Sequence, residues 1–158
     1  MKLTRIAVLV AASSAAAFAQ LPTMKMLTVD VAQTIAQEAM MRCRADGYHV
    51  TVQVVDSGNF LKAFLRDDGA GLATIDVARM KATSVILQNR PSGPPANLAP
   101  GAPVPAPVIP GTINAMGGVP IKVDGMTIGA VAVSGAPGGD KDAACANAAL
   151  MKLADKLK

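Results

Sequence analysis

A β-hairpin at residues 117–135 is the feature that most constrains the fold of this chain. Asp124-Gly125 supplies the positive φ angles of a tight type I′ turn, and apolar runs lie on both sides of it. After the turn, neither alternating set of positions is polar, so the second strand is expected inside a sheet that is covered on both faces. Gly129, in the middle of that strand, predicts the close approach of another backbone or of a ligand.

The start of the chain has the pattern of a secretory signal peptide. Lys2 and Arg5 precede an apolar run, which ends in the small-x-small cleavage site Ala17-Phe18-Ala19. The run is shorter than the roughly 20 residues that span a bilayer. We therefore predict a leader over residues 1–19, a periplasmic or secreted location, and no stable membrane insertion after cleavage.

The remaining residues, 20–158, have the length of one domain with a substantial core. Without the two leader cations, 13 Lys and Arg remain against 11 Asp and Glu, so the mature net charge is near +2. The chain has no basic cluster beyond the leader and few aromatic side chains. This composition argues against nucleic acid as a partner.

Cys43 and Cys145 are the only cysteines, and both fall on predicted helices. In an exported protein they form either a disulfide or two small buried apolar residues, and the sequence leaves both alternatives open. Two Cys and one His are too few for the usual structural zinc site.

The order of predicted elements indicates an α+β fold. Hairpins occur without βαβ alternation, which predicts one antiparallel sheet of about five strands with helices against it. Ile113 is a candidate for an additional strand. The predicted elements are a helix capped by Thr28 and ended at Gly47, a hairpin of strands 49–55 and 60–66, a helix capped by Thr74 and stopped by Pro91, the hairpin at 117–135, and a last helix capped by Asp140.

Residues 91–110 contain eight prolines. Such a segment forms neither a helix nor a central strand and is expected to be extended and partly polyproline-like. It is either a spacer between two domains or a surface excursion of one domain. The strands that follow are too few to close a core alone, which favours a single domain with an excursion.

Two cationic side chains are candidates for holding a ligand. If Arg66 and Lys81 converge over the sheet, they can bind the carboxylate groups of a small organic acid. An internal salt bridge to Asp68 or Asp76 is the equal alternative. No nucleophile motif is present, since Ser134 lacks the glycine pattern of a hydrolase elbow. An enzymatic role is thus less favoured than binding.

His49 is the side chain best suited to bind a haem iron, and the thioether of Met116 is the next candidate. An isolated histidine is more often structural, and methionines usually fill gaps in a core.

Three blocks of residues, in order from about Leu27 to the C terminus, resemble the GlcG/HbpS family (DUF336). This is the haem-binding protein domain that also forms the C-terminal part of PduO-type proteins. The blocks are residues 54–59 (VVDSGN), residues 66–70 (RDDGA) followed by 75–82 (IDVARMKA), and residues 117–121 (GGVPI) with 128–135 (IGAVAVSG) followed by Asp140 and Asp142.

The resemblance implies a profilin-like fold that assembles into homo-oligomers, haem as a cofactor, and a role as a carrier or as an accessory to an envelope sensor kinase. Arg66, Asp68 and Lys81 match the family pattern, and His49 and Met116 complete the candidate haem-binding set. The alternative that the family implies is a binder or enzyme for small organic acids of glycolate-type metabolism.

Overall fold

The computed structural model describes residues 23–95 and 97–158, so the predicted leader lies outside the described residues. Its elements in chain order are α1 (Val29–Ala45), β1 (Thr51–Asp56), β2 (Leu61–Arg66), α2 (Ala73–Gln88), β3 (Gly118–Val123), β4 (Met126–Ser134), α3 (Gly139–Lys152) and a 3₁₀ turn (Ala154–Lys156).

The sheet is antiparallel throughout, with the order β2-β1-β4-β3. The prediction of about five strands was wrong, because the described residues form four. Ile113 forms no strand, since its N–H and its carbonyl oxygen both bond to the Ser84 hydroxyl on α2, at 2.8 and 3.0 Å. Its backbone groups are therefore satisfied without a neighbouring strand.

The final hairpin lies in the sheet as predicted. Asp124 and Gly125 have φ angles of 49° and 79°, which the tight turn requires. β4 is a central strand between β1 and β3. A Cβ on Gly129 would overlap the carbonyl oxygen of Val55 on β1, so the close approach predicted at this glycine is made by a backbone.

Helices cover both faces of the sheet. Val131 and Val133 of β4 point into the larger core cluster, which they share with α1 and α3. The alternate residues Ala130 and Ala132 pack with Val85 of α2 on the other face. This strict alternation explains why β4 is apolar on both sides.

The helix boundaries confirm part of the capping pattern. Thr28 caps α1, with its hydroxyl accepting the Val31 N–H at 3.4 Å, and Gly47 follows that helix at φ 79°. Thr74 does not cap α2, because the helix begins at Ala73 and the Thr74 hydroxyl instead bonds to Thr51 at 2.7 Å.

α3 also begins earlier than predicted. Its N-cap is Gly138, not Asp140. Asp140 instead lies in the first turn, where the helix dipole favours a carboxylate.

Cys43 and Cys145 form a disulfide that joins α1 to α3, with Cα atoms 5.5 Å apart. The pairing decides between the two alternatives that the sequence left open. The bridge closes a loop over a sequence separation of 102 residues, and neither sulfur is exposed.

The proline-rich segment has no regular secondary structure in its described residues. The helix before it, α2, packs on β3 and β4, which follow it in the chain. Among the described residues, we find no helix that is both long enough and apolar enough to cross a bilayer.

Replacing both cysteines tests the contribution of the bridge. Because the closed loop is long, we expect Cys43→Ala/Cys145→Ala to lower the free energy of unfolding by about 2–5 kcal/mol, measured by urea denaturation. Reduction of the wild-type chain should produce a similar loss and leave the double variant unchanged. A double variant as stable as the wild type would contradict a stabilising bridge.

Candidate functional site

One end of the sheet gathers most of the candidate site residues. β1 and β3 begin at this end, and β2 and β4 finish there. His49 precedes β1, Arg66 ends β2, Ser134 ends β4, and Met116 precedes β3. We call this region the His49 end of the sheet.

The imidazole of His49 is paired with a buried carboxylate. Its Nδ1 lies 3.3 Å from Oδ2 of Asp67, whose side chain is 5% exposed, whereas the His49 side chain is 62% exposed. The same carboxylate accepts bonds from Nε and Nη2 of Arg44 at 3.0 and 2.8 Å, and from the Asp68 N–H at 2.9 Å. The two-pronged Arg44 contact, together with the Asp68 N–H and His49 bonds, lowers the pKa of Asp67 far below its ordinary value.

The charge of Asp67 fixes the tautomer of a neutral His49. An ionised carboxylate only accepts hydrogen bonds, so Nδ1 of the imidazole must carry the proton that is shared with Asp67. The lone pair of the neutral ring then belongs to Nε2, the nitrogen that this contact leaves free. Metal-binding histidines in proteins commonly have this arrangement, in which a carboxylate orients the ring and raises its basicity.

Backbone contacts hold His49 in place. The Asp67 N–H bonds to the Val50 carbonyl at 2.9 Å, which sets the acidic loop beside His49. A Cβ on Gly69 would lie 2.8 Å from Cγ of the imidazole, so only glycine lets the ring lie against this loop. On the opposite side, a Cβ on Gly135 would come within 2.5 Å of the His49 carbonyl oxygen.

Other charged and aromatic groups lie at the His49 end of the sheet. Tyr48 is half-buried, and Nζ of Lys141 lies 5.6 Å from the centroid of its ring. Arg66 is exposed at the end of β2, where its guanidinium donates to the Ala70 carbonyl. Asp68 is exposed in the loop that follows.

Lys81 has a different environment from the other candidates. It is 3% exposed, and its ammonium donates to Oδ2 of Asp142 at 2.7 Å and to the Val133 carbonyl at 2.9 Å. Burial raises the pKa of Asp142, and the Lys81 ammonium opposes that effect. The structure thus favours an internal ion pair over a ligand anchor, with Asp142 as the partner in place of Asp68 or Asp76.

Arg66 and Lys81 do not converge over an open site. Arg66 is exposed on an edge strand, and the ammonium of Lys81 is held inside at the end of β4. β1 separates these two strands.

Met116 is 43% exposed in the loop before β3. Its side chain lies against Gly93, where a Cβ would be 3.1 Å from Cγ of the methionine, and against Gly139. Met116 precedes β3 and His49 precedes β1, and β4 lies between these two strands. The distance between β3 and β1 is therefore about 9–10 Å. The structure places both candidate iron ligands at one end of the sheet, in the segments that precede β1 and β3.

The sequence of residues 27–151 matches the family model described as haem degrading protein HbpS-like. That match covers most of the chain. The chain belongs to the HbpS-like family.

Solved structures agree with this membership. A crystal structure of a Streptomyces reticuli HbpS double mutant is 35% identical, with a TM-score of 0.74 over 91% of this chain and 98% of that one. Klebsiella pneumoniae ORFY, described as DUF336, is 23% identical, with a TM-score of 0.75 over 87% and 97%. A PduOC:heme complex is 21% identical, with a TM-score of 0.69 over 80% and 94%. A search of curated proteins gave no significant match.

The sequence did not predict that Asp67 pairs with His49 or that Asp142 pairs with Lys81. From the sequence, Asp67 was recognised only as part of the block at residues 66–70, but the hairpin register contained the missing information. Thr51 pairs with Arg66, which brings the residues before β1 next to those after β2. The partnership of Asp142 with Lys81 depends on the packing of two helices, which has no local sequence signal.

Removing the ammonium of Lys81 tests its structural role. We expect Lys81→Met to lower the free energy of unfolding by about 3–5 kcal/mol, because it leaves the buried Asp142 carboxylate without its cationic partner. Lys81→Met/Asp142→Leu should recover most of the loss, measured by urea denaturation. A single variant with wild-type stability would contradict this role.

The carboxylate of Asp67 predicts a dependence of stability on pH. Its folded-state pKa lies below the ordinary value of 3.8, so its stabilising contribution is present above that value and is lost as the pH falls through the folded-state pKa. Asp67→Asn should therefore be much less stable than the wild type at neutral pH, and the difference should shrink below a pH of about 3.8. Thermal melts across this range check the prediction, and a difference independent of pH would contradict it.

Proposed function

We propose that this chain is a haem-binding protein in which His49 supplies a ligand to the iron. The observation that carries the proposal is the His49–Asp67 pair, because it leaves a fixed imidazole lone pair on an exposed ring. Membership in the HbpS-like family and the fold shared with the PduOC:heme complex support it.

The residues around His49 fit the chemistry of a haem. Tyr48 is an aromatic residue next to His49 in the chain, and Lys141 and Arg66 are cations at the same end of the sheet that suit the propionate groups. Met116 is a second candidate donor at the same end of the sheet. When bound, haem supplies a redox-active iron and a strong visible absorption, and the protein contributes the ligand, its orientation and the surrounding charge.

The exposure of His49 favours a carrier over a catalyst. A histidine with a 62% exposed side chain provides little exclusion of water, which is more suitable for haem exchange than for a protected reaction. The family description refers to haem degradation. We propose binding without turnover for this chain, and a carrier or sensor-accessory role.

Location and assembly are part of the proposal. The leader pattern and the Cys43–Cys145 bridge support a periplasmic or secreted protein, since disulfides persist in oxidising compartments. We further propose a homo-oligomer that acts with an envelope partner such as a sensor kinase. The organic-acid alternative gains no support from the fold, because its anchor Lys81 is buried and already paired.

Titration with hemin tests the haem proposal. We expect a saturable Soret shift at about one equivalent per chain for the wild type and loss of that spectrum for His49→Ala. Asp67→Asn should weaken binding by about 10–100-fold, since it removes the charge that orients the imidazole. Asp46→Asn is the matched control, because that carboxylate pairs with Arg42 and not with His49.

Three outcomes would count against parts of this proposal. An unchanged Soret spectrum in His49→Ala would exclude His49 as the ligand, and no saturable shift in the wild type would exclude haem binding. Bleaching of the Soret band with release of iron, in the presence of ascorbate and oxygen, would show degradation in place of a carrier role.

A further inference from the structure

The two edges of the sheet differ in their capacity to accept another strand. β3 carries Pro120, which has no N–H to offer, and prolines of this kind protect an edge. β2, Leu61–Arg66, has no proline. The Asp67 N–H bonds inward to the Val50 carbonyl, so alternation turns the backbone groups of Arg66 and Phe64 away from β1, toward the open side.

Clefts lie on both faces of the β2 edge. One, of about 320 Å³, lies between β2 and α1 and is lined by Gln33, Gln37 and Phe64. The other, of about 360 Å³, lies between the β1–β2 hairpin and α2 and includes Leu61 and Phe64. Leu61 and Phe64 are 58% and 40% exposed. An unpaired backbone with side-chain clefts on both faces is the arrangement that binds an added β-strand.

A strand formed by residues 102–108 of the proline-rich segment would have hydrogen-bond donors on one side only. In residues 102–108, prolines alternate with Ala102, Val104, Ala106 and Val108. The N–H groups of alternate residues in an extended chain point to the same side, so every donor of this segment lies on one edge. The opposite edge has none and cannot pair further.

Three of the four donors in residues 102–108 have no intramolecular partner among the described residues, whereas the N–H of Ala102 bonds to the Ala99 carbonyl at 3.0 Å. The N–H groups of Val104, Ala106 and Val108 make no hydrogen bond there, and Val104 and Val108 are 50% and 96% exposed. The N–H donors recur at every second residue on both the segment and the β2 edge, so the distance between successive donors is about 6–7 Å on each. Residues 91–121 carry no charge, so Lys62 and Arg66 on β2 repel nothing in the segment.

We propose that residues 102–108 of one copy of this chain add as a strand to the β2 edge of a second copy. Within one chain, the segment leads into β3, which lies on the opposite edge of the sheet, three strand spacings or about 14 Å from β2. This distance disfavours pairing of the segment with the β2 edge of its own chain. The Pro105 carbonyl of the segment is also held on the β3 side by Nδ2 of Asn114, at 2.9 Å. A second copy meets neither constraint, and because each copy has one such segment and one open edge, reciprocal exchange gives a closed two-fold dimer.

This inference deepens the proposed homo-oligomer by naming its surface and does not depend on haem. Val104→Pro removes a donor from the bonding edge and leaves the segment extended. Pro105→Ala, the matched control, restores an N–H on the opposite edge and keeps the carbonyl that Asn114 binds. The molar mass of the apoprotein, without its leader, is measured by light scattering after size exclusion over a range of concentrations, with thermal melts to confirm folding.

We expect the wild type and Pro105→Ala to form dimers, and Val104→Pro to dissociate at least about fivefold more readily, because an acceptor on β2 is left unsatisfied. Phe64→Lys on β2 should weaken association in the same way. If neither Val104→Pro nor Phe64→Lys weakens the dimer, the proposed strand exchange is wrong, although the chain is still an oligomer. A monomer at every concentration would overturn both.

Discussion

The ammonium of Lys81, buried at the end of β4, connects this central strand to one helix on each face of the sheet. It belongs to α2, donates to the Val133 carbonyl of β4, and pairs with Asp142 of α3. Asp142 also accepts the Ala136 N–H at 2.9 Å, which fixes the turn between β4 and α3. A buried pair of this kind specifies one arrangement of helices, since other packings would leave a charge without a partner.

The environment of His49 depends on the same turn. Gly135, directly after β4, packs against the backbone of His49, which precedes β1. The imidazole of His49 contacts Asp67 in the loop after β2. The two carboxylates at this end have opposite environments. Asp67, with a two-pronged arginine contact, has a lowered pKa, whereas burial raises the pKa of Asp142. The first carboxylate holds the imidazole of His49, and the second holds the ammonium of Lys81.

Local signals in the sequence predicted those parts of the structure that are themselves local. The Asp124-Gly125 turn, the Thr28 cap and the central position of β4 follow from turn chemistry, capping and hydrophobic pattern. Ile113 was a wrong candidate for a strand because a hydroxyl on α2 satisfied its backbone. Thr74 failed as a cap for a related reason, since Thr51 on β1 engages its hydroxyl.

The candidate site was less predictable because its contacts cross between elements. Asp142 is 61 residues from Lys81, and the local alternative Asp76 bonds instead to Arg79 on its own helix. The sequence made His49 a candidate haem ligand but did not predict the carboxylate that orients its ring. The hairpin register that joins them is set by pairing between strands, and a bulge between Val54 and Val55 shifts that register farther along.

We infer that Asp67 holds neutral His49 in the tautomer whose lone pair is on Nε2. Nitrogen NMR of the ¹⁵N-labelled protein measures this directly once the two ring nitrogens are distinguished, and because the chain has one histidine, the signals need no assignment to a residue. The account predicts that the neutral ring is protonated on Nδ1 and that hemin perturbs its Nε2 resonance. A neutral ring protonated on Nε2, or ring signals that hemin leaves unchanged, would contradict it.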